Sequence, residues 1–502
     1  MRLLGKSLLR SGKMEMVQVY LLKFKRDTAE VGKADKEQRE KQDIGEQKKK
    51  KVRFIKRVFL LWIVYAVICL VIPPLFHKTV SEQEAAYSGR AGQQERVLSI
   101  DDNMDALLWR LRLINAAQER IVLCTFDFRD DDSGRDIMAA LFQAAERGVD
   151  VRIMVDGING TLYLTGSGNF RELAAHENVQ VKFYNPVNLL LPWKINYRMH
   201  DKYLIADDYA YILGGRNTNN LFLGNYADSY NEDRDILVYE TVPGEGCSYR
   251  QLQQYFDQIW NLPCAEPYRK TVYGKGVLEE HYLAVRETYP EAFAEIEWEK
   301  ETVETQGIEL CTNPMKPENK SPQLWDRLIK EMEQGKDIVI QTPYIICSRA
   351  MYQDLTDITN EAEVGLIINA VEGSANPFGC TDYLNQRNRI HSTGIHTYEY
   401  SGGQALHTKT ILIENNISIV GSCNLDMRSV YLDTEMMLVI DCEELNASIR
   451  SQTEELKEYS RHIFPNGTVE DGIEYQPVEQ GISKKIFYGI LRVLIFPFRH
   501  LL

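Results

Sequence analysis

The hydrophobic pattern of the chain changes character three times. From Val58 to Phe76 it reads VFLLWIVYAVICLVIPPLF, 19 residues without a charge. At helical rise this is long enough to cross about 30 Å of hydrocarbon, so a transmembrane helix is predicted over 58–76. The run exceeds a signal-peptide core, lies far from the start, and carries Pro73 and Pro74 where a cleavage site would need small residues. Residues 27–50, ahead of it, are rich in Lys, Glu and Gln and read as a solvated, disordered tether. From about 98 to 465, short β-branched runs alternate with stretches such as DIMAALFQAAERG (136–148), whose apolar residues recur at helical spacing. Strands alternating with helices predict an α/β body. The last stretch, SKKIFYGILRVLIFPFRHLL (483–502), mixes apolar residues with Lys484, Lys485, Arg492 and Arg499. It predicts an amphipathic tail over 466–502 that either lies on a bilayer or docks on the core.

The α/β region repeats itself at an offset of a little over 200 residues. IVLCTFDF at 121 echoes IVIQTPYI at 338, VDVRIMVDGING at 149 echoes AEVGLIINAVEG, and VQVKFYNP at 179 echoes GIHTYEYS. MHDKYLIADDYAYILGGRN at 199 echoes LHTKTILIENNISIVGSCN at 406. Two similar α/β domains, 98–265 and 306–465, are therefore expected, joined by a Glu-, Lys- and Tyr-rich connector over 266–305. Approximate two-fold symmetry between them would bring equivalent residues together.

Charge sharpens this division. The chain carries a net charge of −14, but residues 1–57 hold 18 Lys+Arg against 8 Asp+Glu, leaving 40 against 64 for the remainder. The basic run KKKKVRFIKR (Lys48 to Arg57) precedes the apolar helix, with only His77 and Lys78 close behind it. The positive-inside rule then puts the N-terminus in the cytoplasm and the acidic body outside, as a single-pass protein of the cell membrane. So acidic a body repels long polyanions, and no nucleic acid is expected as a partner. The nine cysteines show no metal-ligand spacing and read as small apolar residues, with a Cys247–Cys264 bridge left open.

Chemistry enters with two motifs in one register. His200-Asp201-Lys202, Asp207 and Gly214-Gly215-Arg216-Asn217 recur as His407-Thr408-Lys409, Glu414 and Gly421-Ser422-Cys423-Asn424, with the same numbers of residues between them. On extended backbone, residues i and i+2 share a face, so each His projects with its Lys. Two imidazoles, two ammonium groups and the amides of Asn217 and Asn424 suit a phosphodiester. One imidazole attacks phosphorus, the other protonates the leaving oxygen, and the lysines and amides hold the phosphoryl oxygens. Such a histidine needs its second ring nitrogen held by an acceptor. Glu435, 28 residues after His407, and Asp235, at the corresponding place in the first copy, are the candidates. A lysine beside each histidine disfavours a metal site, and no metal or cofactor is expected.

These residues resemble the duplicated HKD motif of the phospholipase D superfamily over about 98–465. AAERGVDVRIMVD (144–156), GGRN (214–217) and GSCNLDMRSVYLDTE (421–435) look most like bacterial cardiolipin synthases. The resemblance implies two phospholipase D-like domains related by a pseudo-two-fold axis, a metal-independent reaction and a phosphohistidine intermediate. His200, Lys202, Asp207, His407, Lys409 and Glu414 are its catalytic positions, with His200 as nucleophile and His407 as general acid. Glu414 departs from the aspartate usual in the motif. The expected function is a phosphatidyltransferase that makes cardiolipin from two molecules of phosphatidylglycerol. The alternatives are hydrolysis of phospholipids by the same site, an anchored nuclease, and an inactive membrane scaffold.

Overall fold

The charge-free run ends one continuous helix, Leu4–Phe76, in a computed structural model that describes residues 4–76, 79–80, 94–268, 276–374 and 376–502. His77 and Lys78 lie outside the described residues. The portion Ile44–Phe76 is long and apolar enough to cross a membrane. The expected tether over 27–50 is helical instead. Lys, Glu and Gln are good helix formers, and pairs one turn apart, such as Arg26 with Glu30 at 3.4 Å, add to that preference. The chain divides into two units, Met1–Ile68 and Cys69–Leu502.

The second unit contains the duplication. Its first sheet runs in the order Val303–Glu304, Glu95–Ile100, Asp235–Glu240, Ala210–Gly214, Tyr203–Ala206, Arg120–Thr125, Asp150–Asp156, Val179–Tyr184, Ala265–Pro267. The second runs Gly307–Thr312, Met436–Asp441, Ile417–Gly421, Thr410–Ile413, Asp337–Gln341, Glu363–Asn369, His396–Tyr400, Ser460–Ile463, Val469–Asp471. Apart from one edge strand in each, the orders match strand for strand, so the repeat seen in the sequence is a repeat of topology. In each sheet three central strands are parallel and the chain returns through antiparallel hairpins.

Alternation along the strands sorts the cores. Ile121 and Leu123 face one cluster, under the helices Asn103–Ala116, Asp132–Glu146 and Gly168–Ala175. Val122 and Cys124 face another, shared with Val339, Leu412, Leu438 and Ile440 of the second sheet. The second sheet has its own outer cluster around Ile338, Ile340, Leu366 and Ile368. Strands buried on both faces need nearly continuous apolar sequence, which IVLC and IVI supply. Helix starts are fixed locally: Asp131 accepts from Gly134 N at 3.1 Å and Ser167 from Phe170 N at 2.9 Å.

The stretch expected as a connector belongs largely to the first sheet. Ala265–Pro267 and Val303–Glu304 pair at its two edges, and the helix Val277–Thr288 sends Leu278, Tyr282 and Val285 into the first core. The C-terminal helix Ile482–Ile495 docks on the second half through Tyr488 and Ile495, and Arg499 pairs with the buried Asp382. Its opposite face is exposed. Cys264 carries a free thiol, so the bridge left open above is not formed.

Candidate active site

His200 precedes the strand Tyr203–Ala206, which runs antiparallel to Arg120–Thr125 with Tyr203 opposite Cys124. His200 therefore lies beyond the carboxyl end of a parallel strand, where open α/β sheets place their sites. Phe126, the next residue out from that strand, turns its ring edge to His200 at 5.0 Å between centroids. His407 stands at the matching place before Thr410–Ile413, against the ring of Phe222 at 4.9 Å. The two histidine side chains are only 12% and 22% exposed.

The halves are laced together at these residues. His200 N donates to Thr434 O at 3.3 Å, and His407 N donates to Glu232 O at 2.7 Å. Each histidine is thereby held by the residue before an acid of the opposite half. The side chains cross in the same way: His200 Nδ1 lies 2.8 Å from Glu435 Oε1, and His407 Nδ1 lies 2.6 Å from Asp233 Oδ2. Both acids are fully buried. An Nδ1–H held by a carboxylate leaves Nε2 of each ring with its lone pair free.

This corrects the expectation for Asp235. Gly215 N bonds to Arg234 O as Ser422 N bonds to Met436 O, so the counterpart of Glu435 is Asp233. Asp235 is two residues further along the strand, with its carboxylate 2.8 Å from Arg110 and 3.6 Å from Arg216. It neutralises two buried guanidinium groups. Gly215 is required by the same geometry, because a Cβ there would stand 2.2 Å from Asp233 Oδ1. In the second half Ser422 takes that place and its hydroxyl donates to Glu435 Oε2 at 2.5 Å, while Ser429 donates to Oε1 at 2.6 Å.

The lysines accompany their histidines. Lys202 Nζ donates to His200 O at 2.5 Å, and Lys409 Nζ donates to His407 O and stands 2.6 Å from His407 Nδ1. Both lysines are buried. Burial, with the charges of Lys202, Lys409 and His407, pushes His200 well below the ordinary imidazole range. Burial and Lys409 bring His407 to about 4, against the pull of Asp233. Burial works to raise Asp233, but Lys409 and His407 outweigh it and hold that carboxyl at about 2. Lys202 is brought to about 7 by burial, opposed by Glu435. Burial also pushes the Glu435 carboxyl up, with Lys202 and the two serines acting the other way. Three donors converging on its two oxygens give it the geometry of a carboxylate. Burial thus disfavours the charged form of both imidazoles and of both lysines, and an anion among them would favour it.

Asp207 and Glu414, expected among the catalytic positions, lie elsewhere. Each sits at a hairpin turn with φ of 50°. Asp207 accepts from the backbone N–H groups of Gln118, Glu119 and Arg120, each at 2.8 Å. Glu414 uses one oxygen, Oε1, on Lys336 N and on Asp337 N at 3.4 Å. The carboxylate of the motif is therefore a turn clamp, and the longer glutamate still reaches its amides. Asn217 and Asn424 are buried, and the side-chain oxygen of each has no hydrogen-bond partner.

Some residues of the site were not anticipated. Asp233 lies in the same EDRDILVYE stretch as Asp235, two residues earlier. Arg234 carries no sequence signal, yet its guanidinium reaches Asp101 Oδ1 at 2.6 Å, Gln341 Oε1 at 2.9 Å and Gln452 Oε1 at 2.6 Å, pinning one half to the other beside the crossed acids.

The family described as cardiolipin synthase, PLD-like domain, matches residues 111–260 and 328–457. Cardiolipin synthase C of Escherichia coli K12 is 26% identical over 387 residues, 69% of this chain and 81% of that protein. An uncharacterized protein of Helicobacter pylori 26695 is 25% identical over 431 residues, 76% of this chain and 83% of its own. Among solved structures, phosphatidylserine synthase of Haemophilus influenzae Rd KW20 shares the fold with a TM-score of 0.58 at 15% identity, covering 81% of this chain and 95% of that one. Because the family match takes in both halves and more than half of the chain, this protein belongs to the phospholipase D superfamily, in its cardiolipin synthase-type family of phosphatidyltransferases.

Proposed function

We propose that this protein makes cardiolipin by moving a phosphatidyl group from one molecule of phosphatidylglycerol to another through a phosphohistidine on His200. The observation that carries the reading is the crossed pairing of His200 with Glu435 and His407 with Asp233, which leaves two free Nε2 atoms at one site. The names of relatives such as cardiolipin synthase C support the choice of lipid.

In the first half-reaction His200 Nε2 attacks phosphorus. The P–O bond to the headgroup glycerol breaks as the phosphodiester anion, between Lys202 and Lys409, raises the proton affinity of His407 that those lysines depress. His407, supported by the ionised Asp233, gives its Nε2 proton to the leaving glycerol oxygen. In the second, neutral His407 takes the proton of a hydroxyl on the second phosphatidylglycerol. That oxygen attacks phosphorus, the P–N bond breaks, and His200 regains its lone pair. Protons and bonds balance over the two steps. Asn217 and Asn424 are assigned to the phosphoryl oxygens. A carboxamide turned by 180° presents NH₂ where each now buries an unpartnered oxygen. The helix over 58–76 anchors the enzyme, and the basic run Lys48 to Arg57 supports a cytoplasmic N-terminus with the body outside.

Purified full-length protein given labelled phosphatidylglycerol should yield cardiolipin and one glycerol per turnover. Phosphatidic acid as the main product would replace transfer by hydrolysis. No loss of substrate that depends on His200 would refute the reading.

A further inference from the structure

The end of the apolar helix, the loop before His200 and the C-terminus meet at one knot. Asn196 Nδ2 donates to Leu70 O at 2.8 Å, Asn319 Nδ2 to Pro74 O at 2.7 Å, and the His500 ring lies 3.1 Å from Val71 O. Arg428 ties the same parts together, donating to Asn196 O at 2.8 Å and Leu501 O at 3.1 Å. It also pairs with Asp433 at 2.9 Å. Asp433 in turn accepts from Arg198 N at 3.0 Å, two residues from His200 and from Glu435.

Two apolar surfaces project from the segments that enter this knot. The loop before Asn196 exposes Leu189 and Leu190, the latter 79% exposed. The C-terminal helix exposes Ile482, Ile486, Ile490 and Val493, spaced by four, four and three residues and so on one face. Its other face is taken: Lys484 donates to Glu372 O, Arg492 to Asn385 Oδ1, and Tyr488 is buried. The free side of this docked helix, a stripe of three isoleucines and a valine, has no partner within the described residues.

We propose that the Leu189–Leu190 loop and this stripe form one lipid-contacting surface. It would seat the His200 half-site at the headgroup level of a phospholipid bilayer. The occupant is the bilayer, not a second protein, because Asn196 and His500, which end the two segments, bond to Leu70 and Val71, the closing residues of an apolar run long enough to span one. The proposal deepens the phosphatidyl-transfer reading, since a donor lipid could then present its phosphodiester without leaving the membrane.

The test uses the full-length protein in phosphatidylglycerol-containing bilayers, with Cys69 and Cys264, the thiols that are not buried, changed to Ser. Nitroxides are placed by Leu190→Cys and Ile490→Cys, with Gln353→Cys as an exposed control. The expected result is that collisions with lipid-dissolved oxygen, relative to those with an aqueous nickel chelate, are several-fold more frequent at 190 and 490 than at 353. Leu190→Glu and Ile490→Glu should lower turnover of bilayer phosphatidylglycerol several-fold while leaving a water-soluble short-chain phosphodiester unaffected. Equal aqueous access at all three positions would overturn the proposal. So would spin–spin broadening at 490 that grows with protein density, the sign of a second copy. Lipid-buried labels without cardiolipin formation would sink the transfer reading and leave the surface standing. Water-exposed labels in an enzyme that makes cardiolipin would do the opposite.

Discussion

Replacing Asp233 by Asn should separate the two chemical steps of the site. Asp233 is fully buried, accepts from Arg234 N at 2.8 Å through Oδ1, and meets His407 Nδ1 at 2.6 Å through Oδ2. In the variant the backbone contact keeps the amide oxygen in place, so NH₂ faces His407. The ring must then accept at Nδ1 and carry its proton at Nε2, the tautomer that cannot act as a base. The negative charge that supports an imidazolium is lost as well. A histidine deprived of its orienting carboxylate loses about a thousand- to ten-thousand-fold in turnover, or about 4–5.5 kcal/mol of transition-state stabilisation. That loss is expected with phosphatidylglycerol, whose alkoxide must be protonated as it leaves. With an ester of an acidic phenol the leaving group needs no proton, so the first step should survive. Stopped-flow absorbance should therefore show a burst of phenolate, stoichiometric with enzyme, in Asp233→Asn, followed by almost no steady state. Glu435→Gln, which disturbs the orienter of His200, should abolish the burst. Equal loss of the burst in the two variants, with folding confirmed by circular dichroism, would refute the assignment of His407 to the proton and His200 to the phosphorus.

Asp235→Ala should act on folding, because it removes the carboxylate that pairs with the buried Arg110 and Arg216; urea denaturation should register a loss of about 3–5 kcal/mol. Asp207→Ala frees three backbone N–H groups and should cost about 1–3 kcal/mol in the same assay, with turnover of the remaining folded enzyme unchanged. The pH dependence of kcat/KM follows from Lys202, held by burial at about 7. Its charge is present below that value and lost above it, so kcat/KM should fall on the alkaline side with an apparent pKa near 7. Lys202→Arg, which stays charged, should remove that limb even as it lowers the plateau.

The parts of the site legible in the sequence are those whose geometry is local. A His and a Lys two positions apart on extended backbone must project together, and matching registers announced a duplication that the two sheet orders repeat. The pairing of acid with histidine was not legible, because each orienter comes from the other half. Nor could spacing settle which aspartate of EDRD serves. The stretch from Gly214 to Asp233 spans 19 steps where Gly421 to Glu435 spans 14, and the choice between Asp233 and Asp235 is fixed by a backbone bond, Gly215 N to Arg234 O. Arg234 looks like any surface arginine until both halves are folded around it. The turn role of Asp207 and Glu414 had a signal, an acid between two β-branched runs at hairpin spacing.

The most direct test of two half-sites making one site is to identify the covalent intermediate. Full-length enzyme mixed with phosphatidylglycerol carrying label in its phosphate, quenched in alkali within a turnover and mapped by peptide mass spectrometry, should carry the phosphatidyl-derived phosphate on His200. His407→Asn should leave that adduct to form slowly on His200, and His200→Asn should abolish it. Label on His407 in the unmodified enzyme, or cardiolipin formed by His200→Asn, would contradict the account.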